Sequence, residues 1–135
     1  MAQILRIIEI NLPIRLQSPN VKEHWTKIYK RNKRHANAIG FSLRTNFEMY
    51  RLQQKVVTGT KVASFKIKVT FVKLGRIWDY DNMVYSFKAI RDAFCQFFFP
   101  NLAPGQADCQ EIFEIHYLQE KGGSGIKIIL EMIEI

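Results

Sequence analysis

Two aspartates separated by one residue, Asp79 and Asp81, have the clearest chemical potential in this sequence, and Asn82 follows them directly. In an extended chain, side chains two residues apart point to the same face, so the two carboxylates would lie together. Such carboxylates repel each other unless a cation or a shared proton separates them. Because hard oxygen ligands in an open site suit Mg²⁺, the spacing predicts a metal site for Mg²⁺ or Mn²⁺.

The same residues have a second interpretation that needs no metal. Asp and Asn are preferred at helix N-caps, where their side chains accept hydrogen bonds from backbone N–H groups. Acidic residues are also favoured in the first helical turn by the helix dipole. Asp81 or Asn82 could therefore simply cap the following helix, and the residues alone leave both interpretations open.

A strand before the acidic residues and a helix after them must position these side chains. After Asn82, apolar residues recur at helical spacing over 83–94, which predicts a helix. On that helix Lys88 and Asp92 are four residues apart and could form an ion pair. Residues 64–74 alternate as in a half-buried strand. Its apolar face holds Phe65, Ile67, Val69 and Phe71, and Lys66, Lys68, Thr70 and Lys73 lie largely on the other.

The other segments complete a pattern of strands and helices. Apolar, β-branched residues predict strands over 3–10, 112–118 and 126–135, the last two joined by a hairpin-type KGGSG connection. Residues 21–53 have helical periodicity, with Gly40 as a break between two helices and Ser18 or Asn20 as a cap. This order predicts a single α+β domain over 1–135, with about four strands and helices packed on the sheet.

The charge balance indicates a polyanionic partner. The chain has 20 Lys and Arg against 12 Asp and Glu, a formal net charge of +8, which favours nucleic acid over an anionic membrane. Six cations lie between positions 22 and 34, opposed only by Glu23. They form either a phosphate-contacting surface or a solvated helix face with an apolar underside of Trp25, Ile28 and Tyr29. The candidate nucleic-acid contacts are Lys27, Lys30, Arg31, Lys33, Arg34 and Arg76.

Other sequence features favour a cytoplasmic protein. Cys95 and Cys109 have no metal-type spacing, and Cys95 falls in an apolar helical run, where a buried thiol is expected. No apolar run approaches the length of a membrane span, and the N-terminal segment lacks the layout of a signal peptide. We therefore expect no membrane partner.

The combined motif resembles the RusA family of Holliday junction resolvases. It consists of D-x-D-N, a lysine, D-A-hydrophobic, and an aspartate after a turn rich in Pro and Gly. The matching residues are Asp79, Asp81, Asn82, Lys88, Asp92, Ala93, Phe94 and Asp108. The resemblance implies a mixed sheet with helices, a homodimer, and a Mg²⁺-binding cluster of Asp79, Asp81 and Asp108. It implies that Lys88 is the cation facing the phosphate.

We therefore expect a metal-dependent endodeoxyribonuclease that resolves Holliday junctions or other branched DNA in recombination and repair. A metal activates water and neutralises developing charge, and Lys88 or Arg76 can stabilise the transition state. Ala107 stands where the family usually has an acidic residue, which motivates a second hypothesis of a non-catalytic protein that binds branched DNA. A third hypothesis is a structural domain whose basic helix is only solvated.

Overall fold

A computed structural model describes residues 3–18, 22–57, 65–103 and 105–134. Four strands, four helices and one 3₁₀ turn at Ala107–Cys109 form the described chain. The strands are β1 (Gln3–Leu12), β2 (Phe65–Leu74), β3 (Phe113–Glu120) and β4 (Ile126–Glu134). The helices are α1 (Trp25–Arg44), α2 (Phe47–Val57), α3 (Tyr80–Ser86) and α4 (Lys88–Phe98).

The strands form one mixed sheet in the order β1-β4-β2-β3. β2 pairs with β3 in parallel, whereas β4 is antiparallel to both β1 and β2. The predicted α+β fold with a mixed sheet of about four strands is therefore confirmed. The predicted hairpin is wrong, because β3 and β4 lie on opposite sides of β2. The apolar strand β4 takes a central position, and β3, with alternating exposure, lies at the edge.

The chain divides into two compact units. The first contains the sheet and α3, and consists of Met1–Asn20, Val62–Phe87 and Glu111–Ile135. The second contains α1, α2, α4 and the 3₁₀ turn, and consists of Val21–Lys61 and Lys88–Gln110. The single domain expected from the sequence stays a prediction.

The core of the first unit is centred on β2 and β4. Ile67, Val69 and Phe71 are fully buried, as the alternation predicts. The assignment of Lys73 to the other face is wrong, and Thr70, which lies on that face by the two-residue period, is buried as well. β2 has a neighbouring strand on each side, and Lys73 shares the strand face of Phe71 by the two-residue period.

The second unit buries one side of each of its helices. Its buried side chains include Ile39 and Leu43 of α1, Met49 of α2, and Phe94 of α4. The Cys95 thiol is buried, as predicted. Among the described helices, none is both long enough and apolar enough to cross a membrane.

The helix boundaries of the second unit differ from the sequence prediction. Gly40 does not interrupt α1, and the break falls at Thr45 and Asn46. The Thr45 hydroxyl donates to Phe41 O, and the Asn46 side chain accepts from Met49 N at 3.1 Å, which caps α2. A single helical glycine costs only about 1 kcal/mol relative to Ala, so polar side chains that bond the backbone decide the break.

The N-cap of α1 is His24, whose Nδ1 accepts a hydrogen bond from Thr26 N at 3.2 Å. The predicted cap at Ser18 is therefore wrong, and Asn20 lies outside the described residues.

Candidate metal and nucleic-acid site

Lys73 supports the turn that precedes the two aspartates. Its side-chain ammonium donates a hydrogen bond to Arg76 O and lies 4.2 Å from the centroid of the Trp78 ring. Burial lowers the pKa of Lys73, because removal from water disfavours the charged form. The lysine therefore joins the end of β2 to the turn at residues 75–79. The sequence analysis missed this role, although the two-residue spacing from Phe71 places Lys73 on the apolar face of the strand.

Gln119 of β3 anchors the same turn from a distant part of the chain. Its side-chain amide accepts a hydrogen bond from Trp78 N at 2.8 Å and donates one to Trp78 O at 2.9 Å. These two bonds fix the backbone directly before Asp79. The sequence contains no local signal for this contact, since the partners are 41 positions apart.

Asp79 and Asp81 lie at the start of α3, which begins at Tyr80. The extended arrangement assumed for the two carboxylates therefore ends at Asp79, whose backbone is extended at φ −52° and ψ 138°. Asp79 occupies the N-cap position, but its side chain makes no capping hydrogen bond. Neither Asp81 nor Asn82 is the cap, so the capping interpretation is wrong for these two residues.

Buried apolar side chains hold α3 within the first unit. Met83 and Phe87 are buried, and the Phe87 ring lies 5.5 Å from Phe71 and 6.0 Å from Tyr117 between ring centroids. Met83 N also donates to Asp79 O at 3.0 Å. The acidic end of α3 is thus attached to the sheet through its apolar face.

The two carboxylates fit a water-rich metal site. Asp79 and Asp81 are exposed, and within the described residues neither side chain has a hydrogen bond or an ion pair. Mg²⁺ usually keeps several waters and takes only one or two protein carboxylates together with substrate phosphates. The chemistry of this donor pair therefore suits the ion that the sequence predicts.

Asp108 belongs to a charged cluster in the second unit. Its Oδ2 lies 3.0 Å from Arg91 Nε, and Asp92 Oδ1 lies 3.8 Å from the same nitrogen. The side chain of Asp108 is only 13% exposed. Asp108 is therefore not a solvated turn residue, because the 3₁₀ turn directs its carboxylate to an arginine of α4.

The pKa of the Asp92 carboxyl in this cluster is raised. Burial raises its pKa, and the negative charge of Asp108 raises it further, whereas Arg91 and Lys88 act in the opposite direction. Lys88 is exposed at the first residue of α4. No ion pair between Lys88 and Asp92 occurs in the described structure, so the expected i,i+4 pair is replaced by the contact with Arg91.

The predicted ligand trio draws on both units. Asp79 and Asp81 belong to the first unit, and Asp108 belongs to the second with Lys88. Across the described parts of the chain, no three His, Cys, Asp or Glu side chains are grouped so that they could hold a metal ion. The role of Asp108 as a third ligand stays a prediction.

The basic segment forms the first half of α1. Lys27, Lys30, Lys33 and Arg34 are exposed, whereas Arg31 is half-buried and pairs with Glu23 at 2.6 Å. The predicted apolar underside is wrong for this half of the helix. Its three apolar side chains are all exposed, namely Trp25 (71%), Tyr29 (60%) and Ile28 (37%).

Comparison with known protein families, curated proteins and solved structures finds no match to this chain. The resemblance described above therefore depends on the acidic motif and its spacing.

Proposed function

We propose that this protein is a Mg²⁺-dependent endodeoxyribonuclease that cleaves branched DNA such as a Holliday junction. The main support is the pair of exposed carboxylates, Asp79 and Asp81, at the end of a turn that Lys73 and Gln119 anchor. Within the described structure both carboxylates lack a protein partner, so they are open to a cation. The net charge of +8 supports a polyanionic substrate.

In this mechanism, the two aspartates hold the ion and the neighbouring cations bind the phosphodiester. Bound Mg²⁺ would supply an activated water and would neutralise the negative charge that develops on the phosphate oxygens. Arg76 is exposed in the turn before Asp79, and it orients and neutralises the scissile phosphate. Lys88 contributes a second exposed cation and Asp108 a third acid, as the resemblance implies.

The first half of α1 is the proposed DNA contact surface. Its exposed cations, Lys27, Lys30, Lys33 and Arg34, would contact phosphates. Arg31 was expected to do the same, but it is already paired with Glu23 and contributes less. Because a four-way junction has two symmetric cleavage points, we propose a homodimer with one site at each. We further propose that the protein acts in the cytoplasm.

Cleavage of a synthetic four-way junction tests the metal site. We expect nicking by the wild type with Mg²⁺ and none with EDTA. Asp79→Asn and Asp81→Asn should each reduce the rate more than about 100-fold, since even loss of a residue that only orients a metal ligand costs about 10–100-fold. Glu111→Gln is the matched control, because it removes an exposed carboxylate from the same unit.

Each variant should still bind the junction, which separates loss of chemistry from loss of folding. Equal cutting by the wild type and Asp81→Asn would remove the acidic pair from the mechanism.

One observation favours a second candidate function, a branched-DNA-binding protein without cleavage. The Asp108 carboxylate already has a cationic partner in Arg91 at 3.0 Å, and Ala107 beside it supplies no ligand. A protein of this kind would bind junctions with strong salt dependence and would not cleave them with Mg²⁺ or Mn²⁺. The same cleavage experiment distinguishes the two functions. Equal affinity for branched and linear DNA would instead favour a domain whose basic helix is only solvated.

A further inference from the structure

A pocket of about 590 Å³ opens in the first unit. The loop after β1, the end of β2 with its following turn, and the loop between β3 and β4 form its walls. Its volume falls in the range of about 300–1,000 Å³ that is typical of small-molecule sites. Of the residues that line this pocket, only Arg76 belongs to the metal and phosphate contacts proposed above.

The charged side chains that line the pocket are all cationic. They are Arg15, Lys73 and Arg76, and no carboxylate lines the pocket within the described residues. Arg15 and Arg76 are exposed, so their guanidinium groups can reorient towards a ligand, whereas Lys73 is buried. A pocket whose charged lining is entirely cationic attracts anions, because low-dielectric walls concentrate its field.

The buried lysine makes the pocket more than a basic patch. Lys73 is only 5% exposed, and its partners within the described structure are the Arg76 carbonyl and the Trp78 ring. Both partners are uncharged groups. Burial lowers the pKa of Lys73, and a bound anion would favour its charged form.

Backbone contacts form the pocket before any ligand binds. Leu74 N donates a hydrogen bond to Gly125 O at 3.1 Å, which ties the loop between β3 and β4 to the end of β2. The same loop packs so closely on β1 that a Cβ at Gly125 would lie 2.5 Å from Leu12 O. Ser124, next to Gly125, is exposed on the rim and offers a hydroxyl donor.

We propose that this pocket binds a phosphate group carried by a ligand of nucleotide size. Arg15 and Arg76 bind the phosphate oxygens, since guanidinium groups match phosphate in bidentate geometry. Ser124 donates a further hydrogen bond, and Lys73 supplies positive charge from the pocket wall. A free nucleotide and a DNA strand offer the same chemistry. The assignment to a DNA strand rests on the proposed function, whereas phosphate affinity does not.

Calorimetric titrations without metal test the pocket separately from cleavage. The probes are pyrophosphate, thymidine monophosphate and a short oligothymidylate, each titrated into the full-length protein. We expect Arg15→Gln and Arg76→Gln to weaken binding by roughly ten- to a hundredfold, as for loss of a charge-assisted hydrogen bond. Arg51→Gln removes the same charge from an exposed residue of α2 and should leave affinity unchanged.

Tighter binding of oligothymidylate than of the mononucleotide, with the difference lost in Arg15→Gln, would support the pocket and identify a DNA strand as its ligand. Equal or tighter binding of the mononucleotide would support the pocket and identify a free nucleotide. No measurable binding of any probe, or equal losses in Arg51→Gln and the pocket variants, would overturn the proposal. Because no step requires Mg²⁺ or cleavage, a protein without nuclease activity could still confirm phosphate binding.

Discussion

The pKa of Asp92 depends on burial and on two charged neighbours, Arg91 and Asp108. Its carboxyl and that of Asp108 face the same nitrogen of Arg91, and in the described structure Asp92 Oδ1 accepts no hydrogen bond. Burial is the strongest influence and raises the pKa of Asp92. The folded protein therefore retains this proton to higher pH than the unfolded chain does.

The Asp92→Asn variant should change the pH dependence of stability. As pH rises from the ordinary Asp pKa of about 3.9 through the raised folded value, the unfolded chain loses this proton first. The free energy of unfolding of the wild type therefore falls over this window. Asn cannot titrate, so the stability of the variant relative to the wild type should rise with pH and then level off. Urea unfolding between pH 4 and pH 7 measures the difference.

Gln96→Ala is a suitable control for that series, because it changes the same helix without removing a titrating group. Its stability difference from the wild type should be the same at each pH. If the advantage of Asp92→Asn instead shrank as pH rose, attraction to Arg91 would outweigh burial.

In the loop between β3 and β4, close packing restricts which residue can stand at position 125. Gly125 has φ +89°, a left-handed conformation, and also approaches Leu12 O. Gly122 has a similar φ of +94°, but a Cβ there would meet nothing within 4 Å. A side chain at Gly122 would therefore meet backbone strain alone, whereas one at Gly125 would meet both strain and a steric clash.

The Gly122→Ala and Gly125→Ala variants make this separation measurable. Gly122→Ala should cost about 1–2 kcal/mol of stability, since a left-handed backbone is unfavourable for Ala. Gly125→Ala should cost about 1–3 kcal/mol more because of overpacking against β1. Equal losses in urea unfolding would mean that the close contact at Leu12 relaxes without cost.

At the scale of the whole molecule, excess positive charge governs the expected affinity for DNA. The net charge is +8, and the exposed cations of α1 concentrate part of it on one helix. Lys30 and Lys33 are exposed, whereas Arg31 between them is paired with Glu23. Lys30 and Lys33 are thus open to phosphate, whereas the charge of Arg31 is already neutralised by Glu23.

The salt dependence of junction binding should reflect this difference. We expect log Kd to vary linearly with log salt concentration, and Lys30→Ala and Lys33→Ala should each reduce the slope by about 0.9 if each lysine contacts one phosphate. Arg31→Ala should reduce it less, because Glu23 already neutralises this arginine. Fluorescence anisotropy at several salt concentrations gives the slopes. Equal slopes in the wild type and both lysine variants would exclude this face from DNA contact.

The spacing of apolar residues was sufficient to predict most helices and strands, but not which of them become neighbours in the fold. The alternation over 64–74 correctly predicts β2, and the spacing over 83–94 predicts helix at α3 and α4. Helical spacing also predicted an apolar underside with Trp25 and Tyr29, but both side chains are exposed. An amphipathic spacing does not ensure that another element packs on the apolar face of the helix. The prediction of a hairpin failed because loop composition does not determine which strands become neighbours.

The positive charge, the α+β class and the closely spaced acids Asp79 and Asp81 could be read from composition and short spacing. The folded chain was needed to show that Lys73 is buried, that Gln119 holds the backbone before Asp79, and that Asp108 pairs with Arg91. Burial of a charge and a bond between distant residues depend on which segments fold together. Neither property is encoded in the residues next to the side chain concerned.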